Sequence, residues 1–393
     1  MPRKLSLTLF FSLTLSLLSF SQVRIRVLTA VNPRYVFFSV VSGKFTLKTC
    51  TADSLRLAAG DIVVFARYRN GVAVKARHSA ALQADSVLLC PSDSCSRFTL
   101  GTDDKNFRGG IYSGDLRCIP DMATLLFINT CDIESYVAGV VRAEGGNGKR
   151  AEYFRTQAII ARTYTYRHFN RHALDRYNLC DDTHCQVYNG LSYDSLINRA
   201  VEDTRGTVIV SPDSNLIISA FHSNCGGETS PSGYAWGSSE PYLVEVKDPY
   251  CLKSRNSTWT REITLDRWVA MLKKNGYSGR TDSSAVFESV QPGRTQNYLV
   301  GKFSVPFTTI RKDLDLRSAW FSVFGEGDTI RLEGRGYGHG VGLCQEGAMV
   351  MASRGMTCLQ IISFYYPGVR LLKIADAKKS HEENTGSGIR QGN

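Results

Sequence analysis

Short stretches in which apolar and polar residues alternate dominate the chain from residue 23 to about residue 130. Residues 23–27 alternate between apolar and charged side chains, and residues 35–41 form an apolar run that ends at the turn-forming pair Ser42-Gly43. Further strand-like runs occupy residues 61–65, 86–89 and 124–128. Several short strands at close spacing predict a β-rich region over residues 22–117.

Beyond this region the apolar period lengthens to that of a helix. Asp132 is the predicted N-cap, and apolar residues then recur with helical spacing as far as Glu144. The glycine-rich residues 145–148 end this helix, and a second helix is predicted over residues 149–170.

Strand-like and helical patterns both continue into the second half of the chain. Apolar runs at residues 207–210 and 216–220 predict strands, and a glycine-rich segment at residues 334–345 precedes an Ala- and Met-rich helical stretch. Together these patterns predict an α+β fold in which a smaller β-rich region precedes a mixed domain.

The first 21 residues have the pattern of a cleaved signal peptide. A short basic start, Pro2-Arg3-Lys4, is followed by an apolar run over residues 5–20 and by small residues before Gln22, the predicted mature start. A membrane anchor is the alternative, but a run of about 16 residues is short for a membrane span. We therefore expect an exported protein of the periplasm or cell envelope, without a stable transmembrane anchor. Residues 375–393 are polar and are predicted to be disordered.

Charge narrows the possible partners. The 393 residues carry 47 Lys+Arg against 36 Asp+Glu, a formal net charge of +11. Removing Arg3 and Lys4 with the signal peptide leaves 45 minus 36, or +9. A basic balance favours nucleic acid, an anionic membrane or an acidic polysaccharide, and export argues against nucleic acid. Export also permits disulfides among the 11 cysteines.

Glu144 is the first candidate for chemistry, because it continues an otherwise apolar helical face beside a glycine-rich break. An unpaired carboxyl group in that position is desolvated, which raises its pKa and favours the protonated form that a general acid needs. The alternative is that the helix ends earlier and leaves Glu144 solvated, or paired with Arg142 or Lys149.

A second constellation comprises Cys180 and Cys185, with His172 earlier in the chain. Two thiolates and an imidazole suit zinc, while a disulfide between the two cysteines is an equal alternative in an exported protein. A Cys185 nucleophile activated by His184 is a further, less favoured alternative, because sequence-adjacent side chains seldom face each other.

A further segment, residues 220–227, resembles the edge of a binding cleft. His222 and Ser223 precede the pair Gly226-Gly227, where a ligand could approach the backbone, although His222 could equally be a hydrogen-bonded structural residue. Cys225 and Cys251 are candidates for a disulfide across this loop. The segment 334–342 matches neither a dinucleotide-binding nor a phosphate-binding pattern, and its glycines could serve turn geometry alone.

Several of these segments, taken together, resemble the SpoIID/LytB family of bacterial proteins, of the stage II sporulation protein D type. The resemblance covers about residues 118–372, weakens in the β-rich region, and implies a family domain over residues 118–374. The matching motifs, in family order, are YVAGVVRAE (136–144), QAIIARTY (157–164), CDDTHCQVY (180–188), FHSNCGG (221–227) and GRGYGHGVG (334–342). One departure is that Gly145-Gly146 replaces the Met-Pro pair that usually follows the family glutamate.

The resemblance implies a lytic transglycosylase that cleaves peptidoglycan between N-acetylmuramic acid and N-acetylglucosamine. It places the catalytic acid/base at Glu144, and we assign His184 beside it as a second catalytic residue. It also implies a zinc site at His172, Cys180 and Cys185. The residues expected to bind substrate are Gln157, Arg162, Gln186, Tyr188, His222, Ser223, Tyr337 and His339.

The family name leaves a second function open. A non-catalytic member could bind glycan strands and stimulate a cell-wall amidase, which makes an amidase a possible partner. A zinc hydrolase centred on the Cys/His loop is the third and least favoured hypothesis.

Overall fold

A computed structural model describes residues 22–374, apart from residues 51–52, 78, 105–106 and 108. Both the predicted signal peptide and the predicted polar tail lie outside the described residues. Within the described part, helices and several β-sheets occur together, which confirms the predicted α+β fold.

The strands of the described part fall into two groups along the chain. The first group consists of β1 (Gln22–Val27), β2 (Tyr35–Ser42), β3 (Lys44–Thr49), β4 (Ser54–Ala58), β5 (Ile62–Tyr68), β6 (Gly71–Ala76), β7 (Leu82–Ala84), β8 (Val87–Pro91), β9 (Arg97–Thr102), β10 (Ile111–Tyr112), β11 (Asp115–Asp121) and β12 (Thr124–Asp132). The second group consists of β13 (Leu179–Cys180), β14 (Thr207–Val210), β15 (Phe221–His222), β16 (Thr258–Thr264), β17 (Asn297–Val300), β18 (Phe303–Pro306), β19 (Phe321–Glu326), β20 (Thr329–Arg335), β21 (Leu343–Cys344) and β22 (Arg370–Lys373).

All helices of the described part lie after β12. They are α1 (Ile133–Glu144), α2 (Ala151–Arg167), α3 (Ser195–Asp203), α4 (Ser232–Trp236), α5 (Leu265–Lys274), α6 (Phe307–Leu314), α7 (Gln345–Ser353) and α8 (Cys358–Tyr365), with short 3₁₀ helices at Ala173–Asp175 and Ser284–Phe287.

Two sheets form the first part of the chain. A seven-stranded sheet has the order β13-β1-β12-β11-β8-β3-β4, and a six-stranded sheet has the order β10-β9-β2-β5-β6-β7. The alternation in β1 buries Val23, Ile25 and Val27 on one face. Phe38 and Phe45, which belong to different sheets, are in edge-to-face contact with ring centroids 5.2 Å apart, so the sheets share one core.

The seven-stranded sheet extends across the boundary expected near residue 117. β11 pairs with both β8 and β12, and β12 pairs antiparallel with β1, where Gln22 lies opposite Asp132. β12 leads directly into α1. The N-terminal strands therefore support the element from which the helix with Glu144 begins.

The part of the chain from β16 to β20 forms a second hydrophobic core. The antiparallel sheet β16-β20-β19 packs with α5 and α6 around buried residues that include Trp268, Phe307 and Leu332. This core is separate from the one beneath the two N-terminal sheets.

The prediction of a strand over residues 216–220 is wrong. Leu216 makes an isolated bridge with Val210, and residues 217–220 have no regular structure. The N–H of Ile218 donates to the Tyr242 hydroxyl at 3.1 Å, whereas a strand would direct it to a neighbouring strand. The backbone of this apolar run is satisfied by separate hydrogen bonds, among them those of the Ile217 N–H to the Ile209 carbonyl and the Leu343 N–H to the Ala220 carbonyl, instead of by a regular ladder.

Among residues 22–374, with the gaps given above, no helix combines the length and the apolar character needed to cross a bilayer.

Candidate functional site

Helix α1 places Glu144 at its C-terminal end. The helix begins where the Asp132 side chain accepts a hydrogen bond from the Ser135 N–H at 2.8 Å, which confirms the predicted N-cap. It ends at Gly145, whose N–H donates to the Val141 carbonyl at 2.8 Å. Glu144 is therefore the last helical residue and faces the loop that carries the Cys/His motif.

The two carboxyl oxygens of Glu144 have different environments. Oε1 accepts a hydrogen bond from the Val187 N–H at 2.8 Å, whereas Oε2 is buried and has no hydrogen-bond partner within the described residues. Burial raises the pKa of Glu144 from 4.5 to about 7, against a smaller opposing effect of the Val187 N–H. The neighbouring Arg142 does not pair with Glu144 and instead donates to the Leu191 carbonyl.

Two side chains, one of them distant in sequence, hold the backbone around Glu144. Gln345 Nε2 donates to the Glu144 carbonyl at 2.7 Å, and the Tyr153 hydroxyl donates to the Gly145 carbonyl at 2.7 Å. Gln345 follows β21, which pairs in parallel with β15 so that His222 lies opposite Cys344. The glycine-rich segment and the His222 strand are thereby joined to the end of α1.

His222 of β15 and His339 of the glycine-rich segment lie close together. We call these two segments, beside the end of α1, a wall of the site. Their ring centroids are 5.5 Å apart, and His222 Nδ1 lies 3.1 Å from the Val341 carbonyl oxygen. Burial lowers the pKa of His222 far below its usual value and the pKa of His339 to about 4. Both imidazoles are therefore neutral near pH 7, and His222 Nε2 is buried without a partner in the described part of the chain.

An exposed aromatic surface adjoins the histidines. The Trp236 ring centroid lies 5.5 Å from that of His339, and 44% of Trp236 is exposed. Tyr337 is 46% exposed, and its backbone pairs with Asn224, two residues beyond His222. Flat exposed rings of this kind suit stacking against the apolar face of a sugar.

Ser223 and Gln157 occupy different settings. Ser223 is half-buried, with its carbonyl accepting from the Glu346 N–H at 3.0 Å and its hydroxyl 3.5 Å from Asn256 Nδ2. Gln157 is buried on α2, and its Nε2 is without a hydrogen-bond partner among the described residues.

Three residues expected to bind substrate have structural roles instead. Arg162 is fully buried and forms an ion pair with Glu134, with Nη2 and Oε2 2.5 Å apart. Gln186 is buried and accepts a hydrogen bond from Thr165, and the Tyr188 ring packs on the core with no exposed surface. The polar groups of these three buried side chains have partners inside the protein, so the structure does not support a substrate-binding role for Arg162, Gln186 and Tyr188.

The Cys/His motif gathers four metal-binding groups, which we name the Cys2His2 cluster: His172, Cys180, His184 and Cys185. Their candidate ligand atoms all lie within 4.8 Å of one another. His184 Nδ1 lies 3.7 Å from Cys180 Sγ and 3.6 Å from Cys185 Sγ. His184, which we assigned to catalysis from the sequence, is thus placed as the fourth member of a ligand set.

The donor set of this cluster fits a zinc ion. A tetrahedral Zn²⁺ with Zn–S of about 2.3 Å and Zn–N of about 2.1 Å separates its sulfur and nitrogen ligands by about 3.6 Å. His172 Nε2 lies 3.5 Å from Cys185 Sγ, while His172 Nδ1 lies 3.2 Å from the Asp175 carboxylate. A carboxylate on the second ring nitrogen is the usual support of a metal-binding histidine.

The pairing expected between Cys225 and Cys251 is not formed as a bond. Their sulfurs are in contact at 3.4 Å, within a group that also includes Cys344 and Asp248. The disulfide stays a prediction.

Sequence reasoning missed Gln345 and the backbone N–H of Val187 as groups that position Glu144. A glutamine directly after a glycine-rich segment is only a weak sequence signal. A backbone N–H has no sequence signal, because its direction depends on how the loop folds.

Comparison with known proteins identifies the family. The family described as Stage II sporulation protein (SpoIID) matches residues 122–210. The chain is 33% identical over 274 residues to the stage II sporulation protein D of Bacillus subtilis, covering 64% of this chain and 77% of that protein. It is 30% identical over 287 residues to an uncharacterised protein of Brachyspira hyodysenteriae, covering 71% and 77%. The chain belongs to the SpoIID family, as its motifs predicted.

A further relative bears a different name. The amidase enhancer of Bacillus subtilis is 28% identical over 286 residues, which is 59% of this chain and 40% of the enhancer. The chain therefore matches less than half of that longer protein.

Proposed function

We propose that this protein is a cell-envelope lytic transglycosylase that cleaves the glycan strands of peptidoglycan, with Glu144 as general acid and base. A role at the cell wall is supported by the SpoIID family and by the similarity to an amidase enhancer. The observation that carries the reaction is the Glu144 carboxyl group, buried at the end of α1 with a pKa raised to about 7.

A single carboxyl group suffices for this reaction. Protonated Glu144 gives its proton to the glycosidic oxygen as the bond between that oxygen and the anomeric carbon of the muramic acid breaks. The resulting carboxylate then takes the proton of the C6 hydroxyl of the same sugar, whose oxygen bonds to the anomeric carbon. The products are a 1,6-anhydro-muramic end and a free hydroxyl, and no water is consumed. A hydrolase would need a second carboxylate to activate water or attack the sugar.

Buried polar atoms without hydrogen-bond partners support a binding role for the residues that carry them. Glu144 Oε2, Gln157 Nε2 and His222 Nε2 are buried polar atoms without partners in the described chain. Native proteins rarely leave such atoms unpaired, and unpaired ones often serve function. Trp236 and Tyr337 add exposed rings for stacking, and the net charge of +9 expected for the mature chain favours a polyanionic glycan.

We assign zinc to the Cys2His2 cluster as a structural ion. With all four positions taken by side chains, the ion would lack an open site for catalysis and would stabilise the loop fold. That loop carries Val187, whose N–H contacts Glu144. The zinc ion would therefore fix the direction in which the Val187 N–H points.

The experiment compares wild-type protein with Glu144→Gln on purified peptidoglycan, reading anhydro-muramyl products by mass spectrometry. We expect wild type to release these products and Glu144→Gln to release at least about 100-fold less, since general acid catalysis contributes about 10²–10⁴-fold. Glu202→Gln is the matched control, because this carboxylate is exposed on α3 in an ion pair with Arg205. Equal product from wild type and Glu144→Gln would refute the proposed role.

A second candidate function is glycan binding that stimulates an amidase, favoured by the similarity to the amidase enhancer. It predicts that the protein sediments with cell wall and raises the rate of a purified cell-wall amidase without forming anhydro ends. In that case Glu144→Gln would stimulate the amidase as well as wild type does.

A further inference from the structure

A second group of metal-binding side chains lies in the core of the protein. Cys225 follows β15, Asp248 and Cys251 belong to the loop after α4, and Cys344 ends β21. All four have no exposed surface, and their candidate ligand atoms lie within 4.8 Å of one another. We name this group the Cys3Asp cluster.

Its spacing is close to that of ligands around one ion. Cys225 Sγ lies 3.4 Å from Cys251 Sγ and 3.2 Å from Asp248 Oδ2. A tetrahedral Zn²⁺ with bonds of about 2.3 Å to sulfur and about 2.1 Å to oxygen separates neighbouring ligands by about 3.6–3.8 Å. Outward movements of a few tenths of an ångström would therefore accommodate the ion.

Hydrogen-bond donors contact two of the four candidate ligands, Cys344 and Asp248. Cys344 Sγ accepts hydrogen bonds from the N–H groups of Cys225 at 3.3 Å and Gly347 at 3.4 Å. Tyr365 donates its hydroxyl proton to Asp248 Oδ2 at 2.9 Å. Donors that orient thiolates and a carboxylate in this way form the supporting shell of a metal site.

The charge of the cluster distinguishes a site with a bound cation from an empty one. Three thiolates and a carboxylate carry four negative charges, and burying them without a cation is unfavourable. Arg294 brings one guanidinium close by, since its Nη2 donates to the Cys225 carbonyl at 2.7 Å. A divalent ion would neutralise two further charges.

A disulfide explains fewer of these contacts. Joining Cys225 to Cys251 would use two of the four groups and leave Cys344 and the Asp248 carboxylate buried against the bond. We propose that Cys225, Asp248, Cys251 and Cys344 bind a structural zinc ion.

The site would fasten the wall that β15 and the glycine-rich segment form beside the end of α1. Cys344 directly precedes Gln345, whose side chain contacts the Glu144 carbonyl, and Glu346, whose N–H donates to the Ser223 carbonyl. The ion would join this wall to the loop at Asp248 and Cys251. This role does not depend on whether the protein cleaves glycan.

The first experiment measures metal content by elemental analysis of the full chain and of cluster variants. Wild type should carry one zinc ion per cluster, and Cys344→Ser should lose the ion of the Cys3Asp cluster. Cys180→Ser, the matched variant in the Cys2His2 cluster, should lose only the other ion. Full zinc content in a folded Cys344→Ser variant, or iron in place of zinc, would overturn the proposal.

The second experiment needs only the wild-type chain. The protein is denatured with chelator and an alkylating reagent but without reductant, and the cysteine peptides are identified by mass spectrometry. A zinc site leaves Cys225, Cys251 and Cys344 all alkylated, whereas a disulfide leaves only Cys344 alkylated. Alkylation of all three in protein that holds zinc only at the Cys2His2 cluster would also contradict the proposal.

A milder variant tests the supporting shell. Tyr365→Phe keeps the ring but removes the hydrogen bond to Asp248, and we expect zinc affinity at this cluster to fall about 10–100-fold. Competition with a chromogenic chelator measures it, in protein whose Cys2His2 cluster carries Cys180→Ser. Unchanged affinity would count against Asp248 as a ligand.

Discussion

At the scale of single residues, the position of Glu144 determines its chemistry. The helix end and the loop bury its carboxyl group, and one backbone N–H contacts one of its oxygens. One donor is too little to offset the desolvation, so the acid form persists to about pH 7. The same side chain on the exposed face of a helix would be ionised and could not protonate a leaving oxygen.

Cleavage should therefore depend on pH with a definite sign. The protonated acid starts the reaction, so the rate should fall as pH rises through the Glu144 pKa of about 7. Initial rates of anhydro-product release between pH 5 and pH 9 measure this. A rate that climbs steadily through this range would contradict Glu144 as the acid.

The buried carboxyl group also affects stability. Because its folded pKa of about 7 exceeds the ordinary 4.5, the carboxylate is buried at a cost above pH 7 that disappears below pH 4.5. We expect Glu144→Gln to exceed wild type in free energy of unfolding by about 1–2 kcal/mol at pH 8, discounting for partial exposure. Urea unfolding should show the difference shrinking as pH falls through this window. A constant difference would point to packing instead.

Mutation of Arg162 can distinguish a structural role of this residue from a role in substrate binding. Its ion pair with Glu134 is buried, so Arg162→Ala leaves an unpaired buried carboxylate and should cost about 3–5 kcal/mol. Arg205→Ala, which breaks an exposed pair with Glu202, should cost at most about 1 kcal/mol. Urea unfolding compares the two. A stable Arg162→Ala protein with weakened glycan binding would restore the role expected from the sequence.

At the scale of elements, α1 packs unusually close to the loop after the Cys/His motif. A Cβ at Gly139 would lie 2.3 Å from the Gly190 carbonyl oxygen and 2.5 Å from Tyr188 Cε2. Gly139 therefore lets the helix approach this loop, and the same loop carries the Val187 N–H to Glu144.

Replacing this glycine should loosen the contact. Overpacking costs about 1–3 kcal/mol, and a clash with a backbone oxygen belongs to the upper part of that range, about 2–3 kcal/mol. Because alanine favours a helix by about 1 kcal/mol, we expect Gly139→Ala to lower stability by about 1–2 kcal/mol. Gly293→Ala is the control, since a Cβ there meets no described atom within 4 Å, and it should stay within about 0.5 kcal/mol. Thermal unfolding of both variants measures this. Equal stability of the two would show that the loop can move away.

Local pattern predicts elements better than it predicts sites. The alternation in β1 and the caps of α1 are properties of a few adjacent residues, and both were correctly predicted. Residues 216–220 read as a strand because burial alone produces the same apolar run. Glu144 was identified as a candidate from its helix face, whereas Gln345 was not, because its partner lies 201 residues away in the chain.

At the scale of the whole molecule, the seven-stranded sheet makes the N-terminal region part of the support for α1. A fragment of residues 118–374 would begin inside β11 and would remove β1 and β8, leaving β12 without one neighbour. We expect the chain of residues 22–374 to unfold in a cooperative transition and this fragment to lack one. Near-ultraviolet circular dichroism during heating compares them. Cooperative unfolding of the fragment would establish it as an independent domain.

The pairing of β1 also has a consequence for how the chain folds. β1 comes first among the described strands, yet its partners β12 and β13 end at Asp132 and Cys180. During synthesis β1 remains an unpaired strand until those residues emerge, and such non-local pairing slows folding. We therefore expect the sheet to be completed late, because β1 can be added only after most of the first half of the chain has been made.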